Sequence, residues 1–166
     1  MDTGKNSTES QFLEGIDKHQ GLLNKICFVY AGGSFSREDL YQEIIFQLWK
    51  SYPSFRGRSE FSTWMYRVAL NTAISLTKRP SFFVSLDKAP EESYDIERSM
   101  NFSEDVRILY RAIARLEKIE KAVILLWLED RSYGEISEIV GISEKNVSVR
   151  LVRIRSKLAG IIKKLQ

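Results

Sequence analysis

Few residues of this 166-residue chain are of the types that carry covalent or metal chemistry. His19 and Cys27 are the single histidine and the single cysteine. The chain therefore offers neither a cluster of histidine and cysteine metal ligands nor a catalytic Cys–His pair beyond those two residues. It contains no glycine-rich phosphate-binding loop and no Gly-x-Ser-x-Gly nucleophile motif. The sequence predicts a binding protein rather than an enzyme, with no metal, no cofactor and no small-molecule substrate.

Aromatic and cationic side chains alternate between positions 46 and 67, and this mixture suits the chemistry of recognition. Aromatic rings stack on unpaired bases while lysine and arginine follow the phosphates, so the pattern is typical of a surface for single-stranded nucleic acid. Packing inside a small helical domain is the alternative, and composition alone favours it. The aromatic residues are Phe46, Trp49, Tyr52, Phe55, Phe61, Trp64 and Tyr66, and the cationic ones are Lys50, Arg56, Arg58 and Arg67.

The C-terminal end of the chain is basic, with eight lysines and arginines against three acidic residues from position 131 onward. Ser132 precedes a short segment of helical periodicity that ends at Gly141, and Ser143 precedes a second, longer one. Serine before a helix and glycine just after one are favoured caps, so the pattern predicts two helices joined by a tight turn. Such a helix-turn-helix places the start of its second helix in the major groove of DNA. An ordinary antiparallel helix pair is the alternative.

The elements that must position these residues are helical. Apolar residues recur at helical spacing nearly throughout, and no segment alternates cleanly with period two. A first helix is expected from about Phe12 to Tyr30, and Ser36 is expected to cap the next one. The sequence therefore predicts an all-α fold.

A linker between two small helical domains is indicated by residues 81–102, which contain Pro90 and five acidic side chains. The predicted domains are residues 10–80 and 103–164. The longest apolar run is far shorter than the ~20 residues of a membrane span, and no secretion signal opens the chain. A lone cysteine forms no internal disulfide. These features favour a soluble protein of the cytoplasm.

Two long motifs resemble the extracytoplasmic-function (ECF) sigma factors of bacterial RNA polymerase. The first is similar to region two of that family and the second to region four, and they occur in the family's order. The first reads Asp39-Leu40-Tyr41-Gln42-Glu43, then Phe46 and Trp49, then Phe55-Arg56-Gly57-Arg58-Ser59-Glu60-Phe61-Ser62-Thr63-Trp64-Met65-Tyr66-Arg67-Val68-Ala69-Leu70-Asn71-Thr72-Ala73. The second runs from Leu116 to Leu158 and is centred on Ser132-Tyr133-Gly134-Glu135-Ile136 and Gly141-Ile142-Ser143.

The resemblance implies a transcription initiation factor that carries RNA polymerase to promoters and stabilises strand separation there. The residues it assigns to docking on core RNA polymerase are Asp39, Gln42, Glu43, Phe46 and Trp49. Those assigned to unpaired bases of the −10 element are Phe55, Arg56, Arg58, Ser59, Phe61, Trp64, Arg67 and Asn71. Those assigned to the −35 element through the helix-turn-helix are Ser143, Lys145, Asn146, Ser148, Arg150, Val152 and Arg153.

The family's pattern is not matched at every position. Arg58 stands where an acidic residue commonly follows the glycine, which changes the expected base preference of that pocket. Ser148 stands where a basic residue is usual, and Val152 where histidine or phenylalanine is frequent. One phosphate or base-edge contact is therefore expected to be lost, with Arg150 and Arg153 placed to compensate.

The partners implied by the resemblance are core RNA polymerase, promoter DNA and an anti-sigma protein, which in this family is often anchored in the membrane. Two other classes of protein remain open. A helix-turn-helix regulator that binds duplex operators without polymerase accounts for residues 130–160 but not for residues 39–73. An interaction adaptor made of two helical domains would bind no promoter DNA together with polymerase.

Overall fold

The structure, a computed structural model, describes residues 3–32, 35–77 and 103–166. The predicted linker, residues 81–102, lies outside these ranges. The described part of the chain folds into eight α-helices and one 3-10 turn, which confirms the expected all-α fold. Helices α1 to α4 form an N-terminal bundle and α5 to α8 a C-terminal bundle. The helices are α1 (Thr3–Lys18), α2 (Gln20–Tyr30), α3 (Arg37–Ser51), α4 (Phe61–Thr77), α5 (Glu104–Ile113), α6 (Lys118–Leu128), α7 (Tyr133–Val140) and α8 (Glu144–Leu165), and the 3-10 turn is Tyr52–Ser54.

The first predicted helix is in fact two helices. The expected helix from Phe12 to Tyr30 is interrupted at His19, whose φ of −118° and ψ of 17° lie outside the helical region. Phe12 and Ile16 of α1 and Leu23 of α2 are all buried in the core. The change of direction at His19 lets both helices turn an apolar face toward that core, and helical periodicity alone does not reveal it.

Helix α3 begins where the sequence predicted. The Ser36 hydroxyl accepts a hydrogen bond from the backbone N–H of Asp39 at 3.1 Å, which satisfies one of the donors that the first helical turn leaves free. Leu40, Ile44 and Leu48 follow at every fourth position and are almost completely buried. This stripe turns toward the core, where α3 packs against α4, so the opposite side of α3 is left facing solvent.

A buried carboxylate organises the C-terminal bundle. Glu117 and Glu120 form a capping box at the start of α6, in which the Glu120 carboxylate accepts the backbone N–H of Glu117 at 3.1 Å. The same carboxylate accepts the Lys157 ammonium of α8 at 2.6 Å. Glu120 is buried, and a buried charge needs such partners. The start of α6 and the middle of α8 are therefore held by one side chain.

The helix-turn-helix forms with the caps that the sequence predicted. The hydroxyls of Ser132 and Ser143 accept hydrogen bonds from backbone N–H groups of α7 and α8, both at 3.1 Å. Gly141 ends α7 with a φ of +80°, a left-handed conformation that glycine adopts without a Cβ clash. Between the helices, the Ser137 hydroxyl donates to the carbonyl of Ile142, which closes the turn.

The two bundles pack against each other along a seam, defined as the contacts of α2 and α4 with α5, α6 and α7. Lys25 and Glu129 form an ion pair across it at 2.8 Å. The Tyr30 hydroxyl donates to the Lys118 carbonyl, and the Lys118 ammonium donates to the Thr77 carbonyl at 2.7 Å. The ends of α2 and α4 are thus fastened to the start of α6.

Cys27 lies in α2 within the core of the N-terminal bundle. Burial raises the pKa of its thiol to about 12, because a thiolate is poorly solvated there. None of the helices in the described ranges combines the length and the apolar character that a membrane-spanning segment requires.

Candidate nucleic-acid interface

The outer face of α3 carries all five residues expected to dock on polymerase. At 100° per residue, Asp39, Gln42, Glu43, Phe46 and Trp49 fall within one third of the helix circumference, away from the buried stripe. The side chains of Phe46 and Trp49 are 57% and 45% exposed. The sequence left open whether Trp49 belongs to the core. Its ring lies 5.0 Å from that of Phe12 in α1 and stacks on Tyr52 at 6.4 Å between centroids, while almost half of the residue stays exposed. This face has the exposed apolar character of a protein-binding surface.

Four aromatic rings form a cluster where the 3-10 turn leads into α4. The Trp64 ring centroid lies 5.1 Å from Phe55, 5.5 Å from Phe61 and 6.0 Å from Tyr52. All four side chains are half-buried, so each ring contributes to the cluster and keeps part of its surface accessible. The segment therefore combines the two alternatives, core packing and a surface for single-stranded nucleic acid. The rings pack on one another, as in a core, and still present edges and faces on which bases can stack.

The position of the Phe61 ring depends on Gly15 in α1 and on His19, which follows this helix. The sequence did not indicate that either residue contacts Phe61. A Cβ on Gly15 would lie 2.7 Å from the Phe61 ring, so only glycine leaves room for the ring at that point. The His19 ring stacks on Phe61 with centroids 6.2 Å apart. Burial, with the charges of Arg131 and Lys18, lowers the pKa of the His19 imidazole. No local pattern around Gly15 could have revealed this contact, because it joins residues 46 positions apart.

The loop before α4 presents its cations to solvent. Arg56 and Arg58 are exposed on either side of Gly57, whose φ of +68° turns the chain sharply. Ser59 is half-buried beside them, and Asn71 is exposed about three turns into α4. Cations at the mouth of the aromatic cluster are placed to meet phosphates next to stacked bases.

Arg67, one of the predicted −10 residues, is paired with the other bundle. Its guanidinium approaches the Glu138 carboxylate of α7 at 3.3 Å, and both side chains are largely open to solvent. The side of α4 that carries Arg67 therefore faces the helix-turn-helix in this arrangement.

Arg131 is the central residue of the seam, and sequence reasoning missed it. Its guanidinium donates to the buried Ser62 hydroxyl at 2.9 Å and lies over the Tyr66 ring at 4.9 Å from the centroid. It also lies 3.9 Å from the Glu60 carboxylate and 3.6 Å from that of Glu135. One side chain from the start of the helix-turn-helix thus reaches the first turns of α4. Its position in a loop next to Ser132 gave no signal of this role.

The outer face of α8 is open. Lys145, Asn146, Ser148, Val152 and Arg153 are exposed, and Arg150 is half-buried. Ser143 serves as the helix cap, so its hydroxyl is engaged with the backbone of its own helix. Arg155 lies over the Trp127 ring of α6 at 4.5 Å, which directs this arginine toward the bundle and away from the residues predicted to read the −35 element.

Two surfaces of DNA-binding character on two helical bundles, one of them a helix-turn-helix, define the class of protein. Residues 16–81 match the model of Sigma-70 region 2, and residues 107–158 match that of Sigma-70 region 4. The chain is 34% identical over 143 residues to the ECF RNA polymerase sigma-E factor of Haemophilus influenzae, covering 76% of this chain and 75% of the relative. It is 24% identical over 168 residues to the ECF sigma factor SigW of Bacillus subtilis, covering 93% and 90%. The chain belongs to the ECF family of RNA polymerase sigma factors, as its motifs predicted.

A solved structure shows the same fold. The sigma factor RpoE of Bartonella quintana, in its co-crystal with the anti-sigma factor NepR, matches with a TM-score of 0.69 at 20% identity, covering 92% of this chain and 97% of that one.

Proposed function

We propose that this sigma factor docks on core RNA polymerase through the outer face of α3, holds unpaired −10 bases on the aromatic cluster and reads the −35 element with α8. The functional units are residues 10–80 and 103–164, joined by residues 81–102. The protein acts in the cytoplasm, beside chromosome and polymerase, and works by binding without catalysing a reaction of its own.

The observation that carries the proposal is the exposure of Phe46. A phenylalanine more than half exposed in the middle of an amphipathic helix leaves apolar area in water, which costs free energy unless a partner covers it. Asp39, Gln42 and Glu43 share its face and supply polar neighbours, so the patch has the apolar centre and polar rim of a protein interface. Core polymerase is the partner that the family supplies for this helix.

The −10 assignment rests on the aromatic cluster and its cationic border. Stacking on an aromatic side chain contributes ~1–3 kcal/mol per base, and extruding a base from a duplex costs a few kcal/mol. Two stacked bases on Phe55 and Trp64 would therefore offset most of that cost, while Arg56 and Arg58 meet the neighbouring phosphates. The segment suits the task of keeping strands apart once polymerase has brought them there.

The −35 assignment rests on the orientation of α8. Its buried stripe faces α6 and α7, so Lys145, Ser148 and Arg153 point outward, where the groove lies when a helix-turn-helix binds DNA. Contacts of Lys145 and Arg153 with phosphates make the affinity for DNA fall as the salt concentration rises.

An anti-sigma protein is the second partner that we propose. The solved relatives RpoE and CnrH were each captured with an anti-sigma protein, NepR and the cytosolic domain of CnrY. Exposed patches on α3 and α8 are surfaces that such a partner would cover to keep polymerase and DNA away.

The test is co-purification of the full chain with bacterial core RNA polymerase, followed by transcription from a genomic DNA library. We expect the wild-type chain to join core and to direct transcripts that share an upstream pattern. Phe46→Ala should weaken core binding at least tenfold, because it removes an apolar anchor. Leu13→Ala is the matched control, since Leu13 is also exposed but lies on α1.

Two results would count against the proposal. Binding of duplex DNA in the absence of core, with no association with core, would make the protein a helix-turn-helix regulator. Equal loss of core binding in Phe46→Ala and Leu13→Ala would displace the docking face from α3.

A further inference from the structure

Two valines occupy the centre of the outer face of α8. Its buried stripe is Val147, Leu151, Ile154 and Leu158. At 100° per residue, Val149 points almost directly away from that stripe and Val152 lies about 60° to one side. Their side chains are 40% and 69% exposed. Both valines therefore lie at the part of the helix that would enter deepest into a major groove.

Valine is an unfavourable choice for these positions in a free helix. Its β-branched side chain lowers helix propensity, and exposed helix surfaces are usually filled by lysine, glutamate or alanine. A single exposed apolar residue needs no explanation. Two of them three positions apart make a continuous apolar strip, which stays uncovered in the part of the chain that the structure describes and calls for something to cover it.

The border of the strip has the charge of a DNA-binding surface. Lys145 and Arg153 flank the valines, and no acidic residue occurs from Lys145 to Ser156. Glu144, the one carboxylate in the first turn of α8, lies beside Gly134 of α7 and so stays off the groove face. A protein surface opposite this strip would have to match its positive border; a duplex matches it with phosphates on both sides.

We propose that Val149 and Val152 select thymines at neighbouring base pairs of the −35 element by packing on their C5-methyl groups. This inference rests on the proposed function and specifies what α8 reads. In the major groove the thymine methyl is the one apolar group on a base edge. A valine pressed against a purine would cover its N7 acceptor without offering a hydrogen bond, and cytosine lacks the methyl, so the strip disfavours A, G and C there.

The spacing of the valines sets the spacing of the thymines. Three residues of α-helix advance about 4.5 Å along the axis, and successive bases of B-DNA rise about 3.4 Å. The two methyl groups therefore belong to adjacent base pairs, on the same strand or on opposite strands. The branched valine side chain has one strongly preferred rotamer in a helix, so little conformational entropy is lost when it is pressed against a base.

The experiment uses the full chain assembled with core polymerase. A promoter library with a randomised −35 segment is selected for binding, and each thymine of the selected duplex is then replaced by deoxyuridine, which removes the methyl and nothing else. We expect two adjacent positions at which this change weakens binding three- to fourfold, the factor that corresponds to ~0.8 kcal/mol for one buried carbon group.

The valine variants show which of the two side chains contacts each thymine methyl group. In Val149→Ala one of the two deoxyuridine effects should vanish, and in Val152→Ala the other, whereas Ser156→Ala on the same outer face should keep both. This is a double-mutant cycle between a side chain and a methyl group, so it reports the contact itself and not a general loss of affinity.

Each other outcome overturns the inference. Binding that ignores deoxyuridine at every position, or deoxyuridine effects that persist in both valine variants, would show that the valines do not read methyl groups. If the deoxyuridine effects are absent and the variants instead lose affinity for an anti-sigma protein or for a second copy of the chain, that partner and not DNA covers the strip. Failure to bind core or any promoter at all would refute the proposed function, and it is seen before any thymine is replaced.

Discussion

Helices α4 and α8 are both assigned to promoter DNA, yet the structure leaves them in opposite states. The side of α4 that carries Arg67 faces the C-terminal bundle, and Ser62 near its start is bonded to Arg131. The outer face of α8 touches neither bundle and lies open to solvent. The first surface therefore has its Arg67 side against the C-terminal bundle while its aromatic cluster stays partly exposed, and the second surface is open.

The difference follows from what the two surfaces are made of. A surface that traps single strands needs aromatic rings, and exposed rings are unfavourable in water, so they pack on one another until bases replace that packing. A surface that reads duplex DNA is mostly polar and charged and has no such need. The polar contacts of the seam are ion pairs and hydrogen bonds, and the exposed Arg67–Glu138 pair among them is individually weak. Buried apolar residues of both bundles form one core cluster, so the polar contacts act together with apolar packing.

The largest effect is expected from removing a ring of the aromatic cluster on α4. Trp64→Ala should reduce strand opening by polymerase holoenzyme about ten- to a hundredfold, since one stacked base is worth ~1–3 kcal/mol. Core binding should change by less than about twofold. Permanganate reactivity of −10 thymines measures the opening, and a gel-shift with core measures the binding.

Trp64→Phe is the control for Trp64→Ala because it keeps a ring in the cluster. It should retain most of the opening. A parallel loss of opening and core binding in Trp64→Ala would mean that this residue supports the bundle and does not hold a base.

A smaller effect is expected from opening the seam. Arg131→Ala removes a charged donor from the buried Ser62 hydroxyl, a change of ~1.5–3 kcal/mol for a hydrogen bond to a charged group. The chain should become less compact in small-angle scattering, and its affinity for a single-stranded −10 oligonucleotide should rise several-fold. The affinity of α8 for −35 duplex should stay the same. The DNA-binding surface of α4 would then be as accessible as that of α8.

Glu138→Ala supplies the comparison within the seam. It removes only the exposed pair with Arg67, worth ~0–1 kcal/mol, and should leave the chain compact. If Arg131→Ala also leaves the dimensions and the oligonucleotide affinity unchanged, apolar packing and not Arg131 holds the bundles together.

The smallest effect concerns pH. Lys121 of α6 lies with its ammonium 5.1 Å from the centre of the Tyr30 ring across the seam. Burial, reinforced by the charge of Lys118, lowers its pKa to about 8. The unfolded chain then binds more protons than the folded one between about pH 8 and the ordinary lysine pKa near 10.4, so stability should increase as pH rises through that window.

The gain from pH 7 to pH 9 should be on the order of 1 kcal/mol in urea unfolding. Lys121→Met, which keeps the length of the side chain without a titrating group, should remove that increment. An identical pH dependence in the two proteins would show that Lys121 keeps access to water in the folded state.

The sequence predicted those parts of the molecule that depend on near neighbours. The caps at Ser36, Ser132 and Ser143 and the left-handed Gly141 are set within four residues along the chain, and each is found as expected. The face of α3 with Phe46 could also be predicted, because helical periodicity separates it from the buried stripe.

Other features depend on residues that are distant in sequence and leave no local pattern. Arg131 meets Ser62 across 69 positions, and Gly15 makes room for Phe61 across 46. The break at His19 arises because α1 and α2 must both reach one core. These contacts are consequences of how the bundles pack, and periodicity within a single helix does not encode them.

The burial of Cys27 is expected to make its thiol unreactive toward thiol reagents. Only the thiolate attacks alkylating agents and peroxides, and at neutral pH a thiol with a pKa of about 12 provides almost none. We therefore expect the single sulfhydryl of the folded chain to react slowly with oxidants. Cysteines introduced at exposed sites such as Ser75 and Ser156 would accept fluorophores selectively in the native sequence background, so the separation of α4 and α8 can be followed while polymerase and promoter bind.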